Sequence, residues 1–148
     1  MKTTPANPTI AHNSLFNGFY RGKSVLVTGH TGFKGSWLAL WLHDQGAKVT
    51  GLALPPNTDP SHFDLIGLGN MVRHFEGDIC DIQTVKHVFD IAKPEIVFHL
   101  AARALVRDSY DDPKGTFDTN IGGTVNVLEA IRKCPTVKAV VVVTSDKC

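Results

Sequence analysis

Cysteine is scarce in this chain, with three residues in 148, at positions 80, 134 and 148. An odd number, widely spaced and without a C-x-x-C pair, argues against a disulfide framework or a cysteine zinc site and fits a reducing cytoplasm. Charge of one sign is lacking too: 15 Lys and Arg against 14 Asp and Glu leave a formal +1, so nothing calls for nucleic acid or an anionic membrane as partner. No apolar run approaches the roughly 20 residues of a membrane span. The opening MKTTPANPTIAHNSLFNGFYRGK holds no continuous apolar stretch of signal-peptide length. Seven histidines are scattered without H-E-x-x-H or other ligand spacing, so no metal site is expected. Internal repeats and low-complexity segments are missing as well. What remains is ordinary globular material, 43% hydrophobic and 20% charged, enough for one domain with a core.

Residues 1–22 are polar, with two prolines and several Asn and Thr, and read as a loosely ordered leader. From Lys23 the pattern changes, and residues 23–148 read as one domain. Ser24–Thr28 is a short β-rich apolar run ending in glycine, hence a buried strand. Lys34–Gln45 follows as a helix with Leu38, Trp41 and Leu42 at i, i+3, i+4, closed by Gly46. Lys48–Leu54 is a second strand, stopped by Pro55-Pro56. Residues 57–70 form a loop with a short helical turn, and Met71–Glu76 is a third strand. Asp81 caps a helix running to Ala92, and Ile96–Leu100 is a fourth strand. Asp112-Pro113 starts a helix that reaches about Arg132, with Phe117, Ile121, Val125, Leu128 and Ile131 on one face that serves the core. Ala139–Val143 is a fifth strand. Five strands alternating with helices require parallel pairing through right-handed crossovers. The strands are continuous apolar runs, as expected when both faces are covered. The fold class is therefore α/β, a doubly wound parallel sheet.

The segment Thr28-Gly29-His30-Thr31-Gly32-Phe33-Lys34-Gly35 leaves strand one and opens helix one with the spacing G-x-x-G-x-x-G. Gly29 permits the tight turn, Gly32 lets backbone N–H groups approach a phosphate with no Cβ in the way, and Gly35 lets the helix pack close to the sheet. The helix N-terminus adds unpaired N–H donors and a positive dipole end, and Lys34 can add charge. The strand-before, helix-after context makes this a pyrophosphate cradle of Rossmann type. Two look-alikes are set aside. Gly18-Phe19-Tyr20-Arg21-Gly22-Lys23-Ser24 is one residue short of a Walker A loop and precedes a strand, where a P-loop must follow one. Tyr110-Asp111-Asp112-Pro113-Lys114 matches Y-x-x-x-K, yet Pro113 and the helix start break the single helical face that pair needs, and the match lies before strand five.

At the end of strand two, near Ala53, there is neither an acid to hold ribose hydroxyls nor a nearby arginine to favour a 2′-phosphate, so these residues leave NAD and NADP open. Asp78, before Ile79 and after strand three, can reach an adenine amino group; as a turn residue or helix cap it has an equally good use.

Taken together, Thr28–Gly35, Gly77-Asp78-Ile79, His99-Leu100-Ala101-Ala102, Asn120 with Gly123-Thr124, and Thr144-Ser145-Asp146 resemble the extended short-chain dehydrogenase/reductase family. Within it, Gly29–Trp37, Leu105–Tyr110 and Ser145-Asp146-Lys147-Cys148 resemble the CDP-glucose branch of the nucleotide-sugar 4,6-dehydratases. Most of those enzymes look like T-D-E where this chain has Ser-Asp-Lys. Arg103 stands where a glutamine is expected.

The resemblance implies NAD as cofactor and CDP-glucose as substrate. It implies a cofactor site of Gly29, Thr31, Gly32, Phe33, Lys34, Gly35, Asp78, Ile79, Leu100, Ala101, Ala102, Asn120 and Thr144. It further implies an internal redox cycle, in which hydride leaves C4 of the sugar for NAD, a proton leaves C5, water is lost from C6, and hydride returns to C6. Ser145 would bond the C4 oxygen, Asp146 would protonate the leaving C6 hydroxyl, and Lys147 would act at C5, which requires a depressed lysine pKa. The Phe117–Ile131 helix resembles the one used in family homodimers.

A Y-x-x-x-K helix, further strands and a sugar-nucleotide domain are not in the sequence. The expectation is an N-terminal portion, cut after strand five, of a longer cytoplasmic enzyme. Alone it would be inactive, and its apolar fifth strand would be left as an unprotected edge. Another extended-family epimerase or reductase, or a non-catalytic dinucleotide-binding module, stands as the alternative.

Overall fold

The computed structural model describes residues 15–144. Its centre is a parallel sheet of five strands: β1 (Ser24–Thr28), β2 (Lys48–Ala53), β3 (Arg73–Glu76), β4 (Ile96–His99) and β5 (Ala139–Val142), in the order β3-β2-β1-β4-β5. In β1, Val25 pairs with Val49 on one side and with Ile96 on the other. Successive side chains of a strand point to opposite faces, so Val25 and Val27 enter one core and Leu26 the other. The first core lies under α1 (Phe33–Asp44) and includes Ala39, Leu42 and Val49. The second lies under α3 (Ile82–Ala92) and α6 (Thr124–Lys133) and includes Leu52, Val85, Val88, Val97 and Val127. Helices on both faces are what make continuous apolar strands stable, each fully buried Val or Leu contributing about 1.5–3 kcal/mol.

Local chemistry accounts for the element ends. Asp81 accepts a hydrogen bond from Gln83 N–H at 2.9 Å and starts α3. Between β2 and β3 the loop contains a short helix, α2 (His62–Leu65), capped by Ser61. Asp112 accepts from Gly115 N–H at 2.9 Å and starts α5 (Pro113–Phe117), with proline in its first turn. The chain then runs through a π-helical segment, Asp118–Gly123, into α6. A further helix, α4 (Val106–Asp111), was not foreseen: it buries no residue, so it left no apolar period to read.

One expectation is corrected here. The apolar row on the long helix does not serve the core. Phe117, Ile121, Val125 and Leu128 are 64%, 55%, 57% and 43% exposed, and only Ile131 packs against the core. The buried side is Gly123, Val127 and Ala130. Small residues let the helix come close: a Cβ on Gly123 would lie 2.5 Å from Ile79 Cδ1, so the close approach selects the small face and leaves the large one outside. In the leader, residues 1–14 lie outside the described part, while Phe16 and Tyr20 pack on α1, their rings both edge-on to Trp41 at 5.7 Å. Residues on either side of position 22 thus share one aromatic group.

At the amino edge of the sheet, Glu95 takes Lys23 and Lys138, each at 3.1 Å, and so joins the starts of β1, β4 and β5. Lys138, then Lys23, hold its carboxyl down at about 2.

Candidate functional site

Chain order in the sheet reverses between β1 and β4, and a ligand crevice opens at the carboxyl ends of strands at such a point. A cavity of about 690 Å³ is there. One side is the glycine loop, with Gly29, Thr31 and Gly32. Next come the end of β2 (Ala53, Leu54, Pro55 and Asn57) and the turn after β3 (Gly77, Asp78 and Ile79). The far wall is Leu100–Leu105 with Asp108, Asp111, Asp112 and Thr119.

The loop is shaped by two glycines. Gly29 has φ +75°, and a Cβ there would meet Ala101 N at 2.8 Å, so only glycine lets the loop lie against the exit of β4. Gly35 lies directly behind it: a Cβ would fall 2.1 Å from the Gly29 carbonyl oxygen. Gly32 is the N-cap of α1 and has no side chain to satisfy the first helical N–H groups, which leaves them for an anion. Thr31 Oγ1 donates to the Leu54 carbonyl at 2.8 Å and ties the loop to the end of β2.

His30 runs back into the protein. It is fully buried, its Nε2 lies 2.7 Å from His74 Nδ1, and its Nδ1 has no hydrogen-bond partner among the described residues. Burial, then the charge of His74, pushes its pKa down to about 4. Asp78 Oδ1 accepts from Cys80 N–H at 2.8 Å, so this residue turns the chain while also lining the cavity. Asn126 Nδ2 donates to the Ile79 carbonyl at 2.9 Å and fixes that turn to α6.

On the far wall, Arg103 points its guanidinium at Asp112 Oδ2, 2.6 Å away. Asn120 grips the Arg103 backbone twice, accepting from its N–H at 2.8 Å and donating to its carbonyl at 3.1 Å. The Gly115 N–H, then Arg103, hold the Asp112 carboxyl below its usual range.

Of the residues singled out from sequence, Gly29, Thr31, Gly32, Asp78, Ile79, Leu100, Ala101 and Ala102 are brought together around the cavity. Gly35 supports it from behind. The Phe33 and Lys34 side chains are exposed on the first turn of α1 and are not part of the wall. Asn120 acts on the wall through Arg103. Thr144, beyond β5, is exposed and outside the wall. Ser145, Asp146 and Lys147 lie outside the described residues. The Y-x-x-x-K look-alike is split, with Tyr110 exposed near the end of α4 and Lys114 in α5, paired with Asp118. Sequence reasoning missed Asn57 and Thr119, which carry no periodic signal, and gave no site role to Asp108 or to the buried polar residues Thr28 and His99 behind the wall, although all three stand in the motif segments. Among the described residues, no group of three or more His, Cys, Asp or Glu is arranged to hold a metal, and no helix is long and apolar enough to cross a membrane.

Sheet order, crossovers and glycine cradle define a Rossmann-type nucleotide-binding unit of the extended short-chain dehydrogenase/reductase kind. Residues 26–147 match the family model described as GDP-mannose 4,6 dehydratase. The chain belongs to this enzyme family. It is 51% identical over 130 residues to the CDP-glucose 4,6-dehydratase of Salmonella typhimurium, covering 88% of this chain and 36% of that protein. Among solved structures it is similar to the epimerase Mth375 of Methanothermobacter thermautotrophicus, with TM-score 0.77 and 34% identity, over 95% of this chain and 40% of that one. It is also similar to the UDP-glucose 4-epimerase of Thermus thermophilus solved with NAD, with TM-score 0.66 and 35% identity, over 78% and 35% of the two chains. The sequence thus spans little more than a third of the length of these relatives.

Proposed function

We propose that this chain is the nucleotide-binding part of an NAD-dependent CDP-glucose 4,6-dehydratase. The observation that carries this reading is the 51% identity to the Salmonella typhimurium enzyme over 130 residues, 88% of this chain. The cavity fits a dinucleotide in size, in its bare glycine floor and in the uncapped start of α1. Gly29, Thr31, Gly32 and the first turn of α1 would hold the pyrophosphate, Asp78 and Ile79 the adenine, and Leu100–Ala102 the nicotinamide side. NAD bound there supplies a hydride acceptor that returns the hydride later in the same turnover.

The chain's own contribution is placement and proton handling. The backbone N–H groups at the start of α1 offset phosphate charge. Ser145 would bond the sugar C4 oxygen, Asp146 would give a proton to the C6 hydroxyl, and Lys147 would take one from C5. Lys147 needs a lowered pKa for that task.

Two measurements test the reading. Titration with NAD should move the amide signals of residues 29–35, 78–79 and 100–102; an unchanged spectrum of folded protein would refute it. The complete enzyme, assayed with CDP-, dTDP- and GDP-glucose, should form the 4-keto-6-deoxy sugar fastest from the CDP sugar. Equal rates would remove the assignment of the base.

The exposed row Phe117, Ile121, Val125 and Leu128 supports a homodimer. An apolar strip of this kind marks a protein contact, and it lies on the helix that resembles the family's dimer helix. Val125→Glu should place an unpaired charge in that contact and weaken dimerisation about 100-fold. Sedimentation over a concentration series measures this, and an unaltered monomer–dimer constant would dismiss this interface.

A further inference from the structure

Behind the far wall of the cavity lies a chain of buried polar groups whose protons can be assigned by counting. Thr28 Oγ1, fully buried, accepts from Leu100 N–H and from Ala101 N–H, each at 3.2 Å. A hydroxyl has two acceptor sites and one proton. Leu100 N–H is shared with the Thr28 carbonyl, also at 3.2 Å, so the direction is fixed from the other end: Thr124 Oγ1 gives its proton to the Asn120 carbonyl and can only accept from His99 Nε2, which leaves His99 Nδ1 to accept from Thr28 Oγ1, 2.6 Å away. His99 Nδ1 is then an acceptor, and the ring proton belongs on Nε2, which lies 3.0 Å from Thr124 Oγ1. Thr124 in turn donates to the Asn120 carbonyl at 2.7 Å. Asn120 holds both backbone groups of Arg103, and the covalent chain from Arg103 back to Leu100 returns to Thr28.

We propose that this closed circuit, Thr28–His99–Thr124–Asn120–Arg103 and back through Leu100, fixes the wall segment 100–103 for the dinucleotide, with His99 as its positioning residue in the neutral Nε2–H form. The inference rests on reading the cavity as a dinucleotide site. Three features support it. The wall segment has no regular structure of its own, so its place is set by these bonds. It lies against Gly29, within 2.8 Å of where a Cβ would stand, so any drift of the wall moves the phosphate loop as well. The π-helical turn at Asp118–Gly123 contains Asn120, and local departures of this kind recur at functional sites. Burial also lowers the His99 pKa, in keeping with a neutral ring. His99 touches neither cofactor nor substrate in this scheme; it acts through Thr28 and Thr124.

The test compares Thr124→Val, which removes the acceptor at nearly constant shape, with Thr124→Ser, which keeps the hydroxyl. In protein labelled with 15N-histidine, His99 should show an unprotonated Nδ1 and a protonated Nε2 at neutral pH. Calorimetry should find NAD affinity reduced about tenfold in Thr124→Val, the size of a lost buried hydrogen bond of about 1.4 kcal/mol, and restored in Thr124→Ser. A protonated Nδ1 on His99 overturns the proposal, and so does a folded Thr124→Val protein that binds NAD like the parent. If Thr124→Val does not fold, Thr28→Ser against Thr28→Val gives the same comparison at the other end of the ring. Failure of the parent protein to bind NAD would instead overturn the reading of the cavity, while the histidine signals would still report the circuit.

Discussion

Gly35→Ala should abolish measurable dinucleotide binding and destabilise the fold by about 3 kcal/mol or more. The added Cβ would sit 2.1 Å from the Gly29 carbonyl oxygen, 2.7 Å from its carbon and 2.9 Å from His30 Cα. All three are backbone atoms, and no rotamer change can clear them. The loop must move away from the start of α1, which separates the two halves of the phosphate cradle. A shift of about 1 Å in such a site costs on the order of 100-fold. Gly122→Ala is the control: a Cβ there has open space, so stability should stay level or rise by up to about 1 kcal/mol. Thermal unfolding and NAD calorimetry on the pair decide. Equal behaviour of the two variants would mean that close contact between α1 and the loop is not what holds the site.

Acidification should remove about 3 kcal/mol of stability between pH 6.5 and 4 through His30 alone. Its pKa in the fold is about 4, lowered first by burial and then by His74, against the ordinary 6.5. Above pH 6.5 the ring is neutral in folded and unfolded chains alike, and the stability is fully present. As pH falls through 6.5 the unfolded chain gains a proton that the folded one refuses, so stability declines. Near pH 4 the folded ring also protonates and the decline from this group ends. His99 is displaced in the same direction and adds to the slope. Denaturant titrations of the parent and of His30→Phe across this range isolate the effect. The variant should lose most of the slope, and parallel curves would show that His30 carries none of it.

Strand positions and the glycine loop were legible because they rest on local physics. Continuous apolar runs such as Val25–Val27 are what a sheet covered on both faces demands, and a strand–glycine–helix junction has few other uses. Asp81 and Asp112 announced their helices because a cap is a single-residue property. The long helix was misjudged because periodicity reveals that an apolar face exists without saying which way it points. Gly123, Val127 and Ala130 took the inside because they are small enough for contact with Ile79 and the sheet, a tertiary fact with no local mark. The wall behind Leu100–Arg103 was hidden for a similar reason. Thr28, His99 and Thr124 lie up to 96 positions apart in number and meet only when β1, β4 and α6 assemble. Ser145, Asp146 and Lys147 were singled out by resemblance, and their test is the reaction itself.

The carboxylate joining three strand starts gives the molecule two rims with different acid tolerance. Glu95 stays ionised down to about pH 2, whereas the histidine under the phosphate loop yields near pH 4. In mildly acid solution the rim that carries the ligand should loosen while the opposite rim remains stapled. Loss of dinucleotide should therefore precede loss of the sheet, and should be reversible on neutralisation.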